Sequence, residues 1–136
     1  MGKSILITVC LSNDMLCPLE KNEAPPNNLH IGYYETTRLL GTDWENGPLV
    51  SFLKSCYKDK DDLEIIHVRD WHDHKDPLQQ RELEKYGLHC IKDSWGAEFI
   101  WENKKILKKT KKVHIVNSKK IMTATEPEFS NLLKKI

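Results

Sequence analysis

The densest group of residues able to do chemistry is Arg69-Asp70-Trp71-His72-Asp73-His74. It directly follows the apolar run Leu63–Arg69, which reads as a buried strand. In open α/β sheets ligands collect just beyond the carboxyl ends of the strands, so the position suits a site. Asp70 and His72 stand two residues apart on an extended segment and can point the same way, offering one oxygen and one nitrogen. His89, after the next helical stretch, supplies a third donor. Two imidazoles and one carboxylate suit a divalent transition metal, zinc or similar, with positions left for water or substrate.

The elements that must carry these residues alternate. Ser4–Leu11 (SILITVCL) is a continuous β-rich apolar run and predicts a strand buried on both faces of a parallel sheet. Cys17 to His30 reads as a loop, broken by Pro18, Pro25 and Pro26. Pro48, followed by apolar Leu49, Val50, Phe52, Leu53, Cys56 and Tyr57, predicts an amphipathic helix. Asp76-Pro77 has the form of a helix cap and first turn, with Gly87 as terminator. Val113–Val116 predicts a third strand, and Thr125-Glu126-Pro127-Glu128 a capping box before a helix packed through Phe129, Leu132, Leu133 and Ile136. The expectation is a single α/β domain over residues 1–136 with helices on a parallel sheet.

Composition sets the limits. At 136 residues, 39% hydrophobic and 30% charged, the chain is an ordinary globular domain, too short for two cores. No apolar run is long enough to span a bilayer. Nothing at the N-terminus reads as a secretory leader, and Leu6 stands where a myristoylation signal wants Ser or Thr, so the expected address is the cytoplasm. Cys10, Cys17, Cys56 and Cys90 lack CxxC spacing and read as free thiols. Residues 103–136 carry ten lysines against two glutamates, a net of +8, which leaves −7 for residues 1–102 of a chain totalling +1. The run Lys104–Lys112 invites a nucleic-acid reading, but no aromatic stands between its lysines to stack a base and no arginine offers bidentate readout. A solvated helix end and turn is the expectation.

Two longer segments carry a resemblance. His67-Val68-Arg69-Asp70-Trp71-His72 and Gly87-Leu88-His89-Cys90-Ile91-Lys92-Asp93-Ser94-Trp95-Gly96-Ala97-Glu98-Phe99 resemble the isochorismatase-like cysteine hydrolases. The similarity is greatest to the nicotinamidase branch, with its RDWH and HC-x-x-GT-x-GAE segments. The opening ILITVCLSNDML is similar to that family's first strand leading into D-x-Q-N-D-F, and Asn28 to Gly41 resembles a loop of some members. The resemblance implies a Rossmann-like three-layer fold, of which this chain would supply strands in the order 3-2-1. It also implies a metal on Asp70, His72 and His89 that positions the ring nitrogen of a small amide-type substrate.

That chemistry uses a cysteine nucleophile, an aspartate base and a lysine. Cys10 stands in the aspartate's place, and a thiol buried in an apolar strand cannot replace a carboxylate as base. Asp14 falls on the family's second aspartate and reads as a turn-capping residue. Lys119 and Lys120 are both candidates for the lysine, with Asn117 a third claimant to the aligned position. None of the four cysteines sits in the strand–turn–helix setting of the nucleophile. The expectation is a homologue that is not catalytic alone. Two other outcomes remain: the front half of an active amide hydrolase completed by another segment or subunit, and a lysine-rich nucleic-acid module. The order 3-2-1 would also leave Ser4–Leu11 as an apolar edge, a template for a second copy or for a complementary C-terminal half.

Overall fold

The structure, a computed structural model, describes residues 2–58, 62–104, 106–108, 110–119 and 126–136. In chain order the elements are β1 (Ser4–Val9), α1 (Asn13–Leu16), α2 (Gly32–Leu40), α3 (Pro48–Lys58), β2 (Leu63–Asp70), α4 (Pro77–Tyr86), β3 (Val113–Ser118) and α5 (Pro127–Lys135). Two 3-10 turns, Trp95–Ala97 and Glu102–Lys104, lie between α4 and β3.

The three strands form one parallel sheet in the order β1-β2-β3. Ile7 lies opposite Ile66 and Val9 opposite Val68, while Val68 in turn lies opposite Val116. Parallel neighbours need a long crossover, and the helical segments between the strands supply it. One sheet face carries the larger core, built from Met15, Leu16, Leu40, Val50, Leu53, Cys90, Phe99 and Trp101, with Leu6, Cys10 and Ile115 reaching it from the strands. On the other face Ile66, Val68 and Val116 meet Phe129, Leu132 and Ile136 of α5. The layers are therefore helix, sheet, helix.

β1 departs from the sequence expectation in two ways. It is not buried on both faces: Ile5, Ile7 and Val9 are 43%, 43% and 59% exposed. They share the face on which α5 covers β2 and β3, and α5 does not extend over them. The strand also stops at Val9, because Cys10 adopts φ of 61°, a left-handed conformation that ends an extended run.

Other elements follow the residue pattern closely. Asp76 caps α4 by accepting a 3.0 Å hydrogen bond from the Leu78 N–H, with Pro77 in the first turn and Gly87 (φ 80°) at the end. The segment from Cys17 to His30 is a loop, tied off where the His30 Nε2 meets the Cys17 carbonyl at 2.9 Å. The resemblance misplaced Asn28–Gly41 as loop: Gly32–Leu40 is a helix. Its opening glycine, paired tyrosines and adjacent Thr36-Thr37 give weak helix propensity, and only Thr36 and Leu40 are buried. α5 begins after Glu126, and the proposed capping residue Thr125 lies outside the described residues. Lys104, from the basic run, pairs with Glu45 at 2.8 Å, whereas Lys105 and Lys109 lie outside the described residues. No helix among the described residues is long and apolar enough to cross a membrane.

Candidate metal centre

The site forms because β2 continues past its last sheet partner and finds another. Beyond Asp70 the chain runs extended, and His72 pairs in parallel with Ile91. The His72 N–H donates to the Cys90 carbonyl and the Lys92 N–H to the His72 carbonyl, both at 2.9 Å. This short ladder brings His89 beside His72 although 17 positions separate them. The two rings meet edge to face with centroids 4.8 Å apart.

Four donors converge there: Asp70, His72, Glu82 and His89 offer ligand atoms all within 4.8 Å of one another. The His72 Nε2 lies 3.8 Å from the Asp70 Oδ2 and 3.4 Å from the Glu82 Oε1, and the His89 Nε2 lies 3.8 Å from that same glutamate oxygen. Ligand bonds of about 2.1 Å in a tetrahedral shell set donors roughly 3.4 Å apart, so the spacing fits one ion of zinc's size. Asp70 and His72 come from the strand extension, His89 from its partner segment and Glu82 from α4.

Both imidazoles are turned so that a bare nitrogen faces inward. The His72 Nδ1–H donates to the Gln79 Oε1 at 3.1 Å, and the His89 Nδ1–H to the Gly87 carbonyl at 2.8 Å. An amide or carbonyl oxygen only accepts, which places the proton on Nδ1 and leaves the Nε2 lone pairs free. Neither Nε2 has a hydrogen-bond partner among the described residues, and both side chains are fully buried. A buried polar atom without a partner is costly and calls for a ligand. Gln79 cannot flip, since its Nε2 donates to the Asp76 carboxylate at 2.7 Å and its Oε1 also accepts from the Asp73 N–H. Metal-ligating histidines commonly donate their other ring N–H to an oxygen acceptor, and both rings here do so.

Electrostatics agree. Burial pushes the Asp70 carboxyl above its ordinary value, while the His72 and His89 imidazoles pull it back. A cation among these groups would favour the ionised form of the carboxyl.

Asp70, His72 and His89 are thus brought together as their spacing predicts, and Glu82 joins them unforeseen. Its signal lies in the helix pattern: Gln79, Glu82 and Leu83 recur at i, i+3 and i+4 and share the inward side of α4. Cys10 closes β1 next to this group, with its N–H bonded to the Val68 carbonyl at 3.0 Å. Burial and the Asp70 charge push its thiol up to about 12. Lys119 is exposed beyond β3; its N–H donates to the Glu126 carboxylate, and its charge acts on Asp76 on the outer end of α4. Lys120 lies outside the described residues. Asn117 accepts from the Arg69 Nε at 2.8 Å.

The surrounding shell is built from the same two motifs. Asp14 does not cap its own turn: its Oδ2 accepts from the Cys90 N–H at 2.7 Å, across the site wall. The Asn13 amide donates to the Trp95 carbonyl, and Ser12 meets the Cys90 thiol at 3.3 Å. Arg69, buried, lies over the rings of Trp71 and Phe99 and forms a 2.9 Å ion pair with Glu102. These contacts fix residues 89–102 against the ends of β1 and β2.

No family model and no curated protein matches the sequence. Solved structures do. An isochorismatase-like hydrolase from Alkaliphilus metalliredigens superimposes with a TM-score of 0.62 at 18% identity, over 99% of this chain and 63% of its own. The pyrazinamidase of Pyrococcus horikoshii, solved in complex with zinc, gives 0.63 at 20% identity over 98% and 65%. The N-carbamoylsarcosine amidase of Thermoplasma acidophilum gives 0.59 at 16%, over 98% and 61%. At these identities the likeness defines the fold, which is that of the isochorismatase-like hydrolases, as the two sequence motifs imply. The chain spans 61–65% of the length of these structures.

Proposed function

We propose that this chain holds a divalent transition-metal ion, of zinc's size and ligand preference, at Asp70, His72, Glu82 and His89, within an isochorismatase-like frame that does not cleave amides by itself. The observation that carries the reading is the pair of buried Nε2 atoms, without a hydrogen-bond partner among the described residues, facing two carboxylates. A bound ion supplies Lewis acidity and a fixed positive charge there. The residues of the chain do the rest: Gln79 and the Gly87 carbonyl hold the imidazoles in the ligand tautomer, and Arg69 and Asp14 keep the two halves of the site in register.

Four protein donors fill a tetrahedral shell, the pattern of a site that retains an ion rather than one that activates water. At the end of β1, a thiol with its pKa near 12 stays protonated at neutral pH and cannot take a proton from a nucleophile. The Lys119 charge acts on Asp76, the residue that caps α4.

Zinc titration with a competing chromophoric chelator tests the reading. We expect one equivalent to bind, and His72→Ala or His89→Ala to weaken it by roughly 100-fold or more. A purified chain that neither carries nor takes up zinc, cobalt or manganese at micromolar concentration overturns it. A second reading, an amide hydrolase completed by another polypeptide, draws on one observation, that the similar solved enzymes are longer. Ammonia release from pyrazinamide that appears only when a complementary polypeptide is added would favour this second reading, and release by this chain alone would overturn the reading of a frame that does not cleave amides by itself.

A further inference from the structure

We infer that β1 is the self-association surface of this chain, pairing antiparallel with β1 of a second copy about a two-fold axis at Ile7. β1 is an edge strand, bonded to β2 alone among the described strands. Its even-numbered residues turn their backbone groups inward, as the bonds from the Ser4 N–H to Asp62 and from the Cys10 N–H to Val68 show. The N–H and C=O groups of Ile5, Ile7 and Val9 therefore point outward from the edge. The same three residues carry exposed β-branched side chains on one face. Leu11 ends the free edge, since its carbonyl accepts from the Ile100 N–H.

Symmetry then selects the register. A two-fold axis perpendicular to the sheet keeps each face continuous, so opposed residues must have the same parity. Centring on Ile7 sets Ile7 against its own copy and Ile5 against Val9 twice. Every outward backbone group of the three residues finds a partner, and all three exposed side chains gain an apolar cross-strand neighbour. Shifting the centre by one residue either way leaves one of the exposed three unmatched. Between Ser4 and Val9 there is no charge to oppose the pairing. The far edge, β3, is flanked by Lys111, Lys112 and Lys119, so copying it onto itself would set like charges together. Pairing through β1 closes the assembly at two copies.

The test is the mass of the intact chain by size-exclusion chromatography with light scattering at about 50 μM, a concentration at which even a modest dimer is populated. Wild type is expected at twice 15.9 kDa. Ile7→Lys and Ile7→Glu are each expected to run at 15.9 kDa with unchanged far-ultraviolet circular dichroism, and their equimolar mixture to return to the double mass. Leu78→Lys, at a site 92% exposed on α4, leaves the dimer intact. A monomeric wild type overturns the inference and leaves the edge to a strand from a different polypeptide; a dimer that survives Ile7→Lys overturns it too. If the Ile7 variants unfold, amide exchange on wild type decides. Protection of Ile5, Ile7 and Val9 that rises with protein concentration supports the pairing, and protection independent of concentration overturns it.

Discussion

The Nδ1 of His72 lies 3.1 Å from the Oε1 of Gln79, and this contact decides what His72 can do. The amide oxygen accepts a hydrogen bond from Nδ1–H, which fixes the ring's N–H proton there and leaves Nε2 as a buried lone pair beside Glu82, Asp70 and the Nε2 of His89.

Gln79→Leu removes that acceptor while keeping the helix. We expect zinc affinity to fall about 10- to 100-fold, the range for losing an outer-shell partner of a ligating histidine. Stability should drop by roughly 1–3 kcal/mol, since the Asp73 N–H and the His72 Nδ1–H both lose their partner. Gln79→Glu keeps the acceptor oxygen but sets a second carboxylate against Asp76 in place of the 2.7 Å amide hydrogen bond, so it should retain more affinity than Gln79→Leu while losing stability at the α4 cap. Chelator competition and urea melts measure both. Equal zinc binding by wild type and Gln79→Leu would show that the ring is oriented by something else.

Gly96→Ala probes the wall. A Cβ there would collide with the Asp14 carboxylate, which is itself anchored on the Cys90 N–H beside His89. The carboxylate must move, and its bond to Cys90 must break. Loss of about 1–3 kcal/mol is expected from the orphaned N–H and local overpacking, with weakened zinc binding alongside. Gly2→Ala, with nothing within 4 Å, serves as the silent control.

The thiols of Cys10 and Cys90 are both raised to about 12, in each case chiefly by burial. At pH 8 the native chain should alkylate at these two positions at least roughly tenfold more slowly than the urea-unfolded chain, because the thiolate is the reacting form. Peptide mapping after timed iodoacetamide exposure reads the difference. Since the folded values lie above the unfolded one, the stability these thiols contribute is present below pH 9 and is lost as pH rises towards 12. Rapid native labelling of Cys10 would show a reactive thiol and reopen a catalytic role for it.

How much of this was legible in the sequence varies with the physics behind each element. The three parallel strands, the Asp76-Pro77 cap and the trio Asp70, His72 and His89 rest on local signals: apolar runs, a capping pair, a two-residue spacing. β1 misled because apolar composition reports a preference for burial, while burial itself depends on what another element covers, and α5 covers only β2 and β3. α2 was hidden by weak local propensity that tertiary packing of Thr36 and Leu40 overrides. Glu82 was missed because a glutamate on a charged helix normally faces water, and only the placement of α4 beside His72, past the end of β2, turns it inward. The ladder between His72 and Ile91, which assembles the site, is a long-range pairing that no local pattern announces.

His67 supplies the acid-side prediction. It is fully buried in β2, with Nδ1 at 2.6 Å from the Thr8 hydroxyl and Nε2 at 2.7 Å from the Tyr57 hydroxyl. The rings of Trp101 and Phe99 lie 5.0 and 5.4 Å away. Burial lowers its pKa from 6.5 to about 4, so the native state keeps the ring neutral where the unfolded chain would protonate it. Between pH 6.5 and 4 the unfolded state binds the extra proton, and stability must fall as pH falls, by about 3 kcal/mol across that window. Above pH 6.5 the contribution is constant. His67→Gln preserves hydrogen-bonding capacity without a titrating group, so its urea midpoint should lose less than wild type's between pH 7 and 4, after an initial deficit at pH 7 from poorer packing on the two rings. Taking the difference between the two proteins cancels the carboxylates they share. Parallel pH profiles for wild type and His67→Gln would mean that the folded imidazole binds its proton as readily as the unfolded one, and that burial does not depress it.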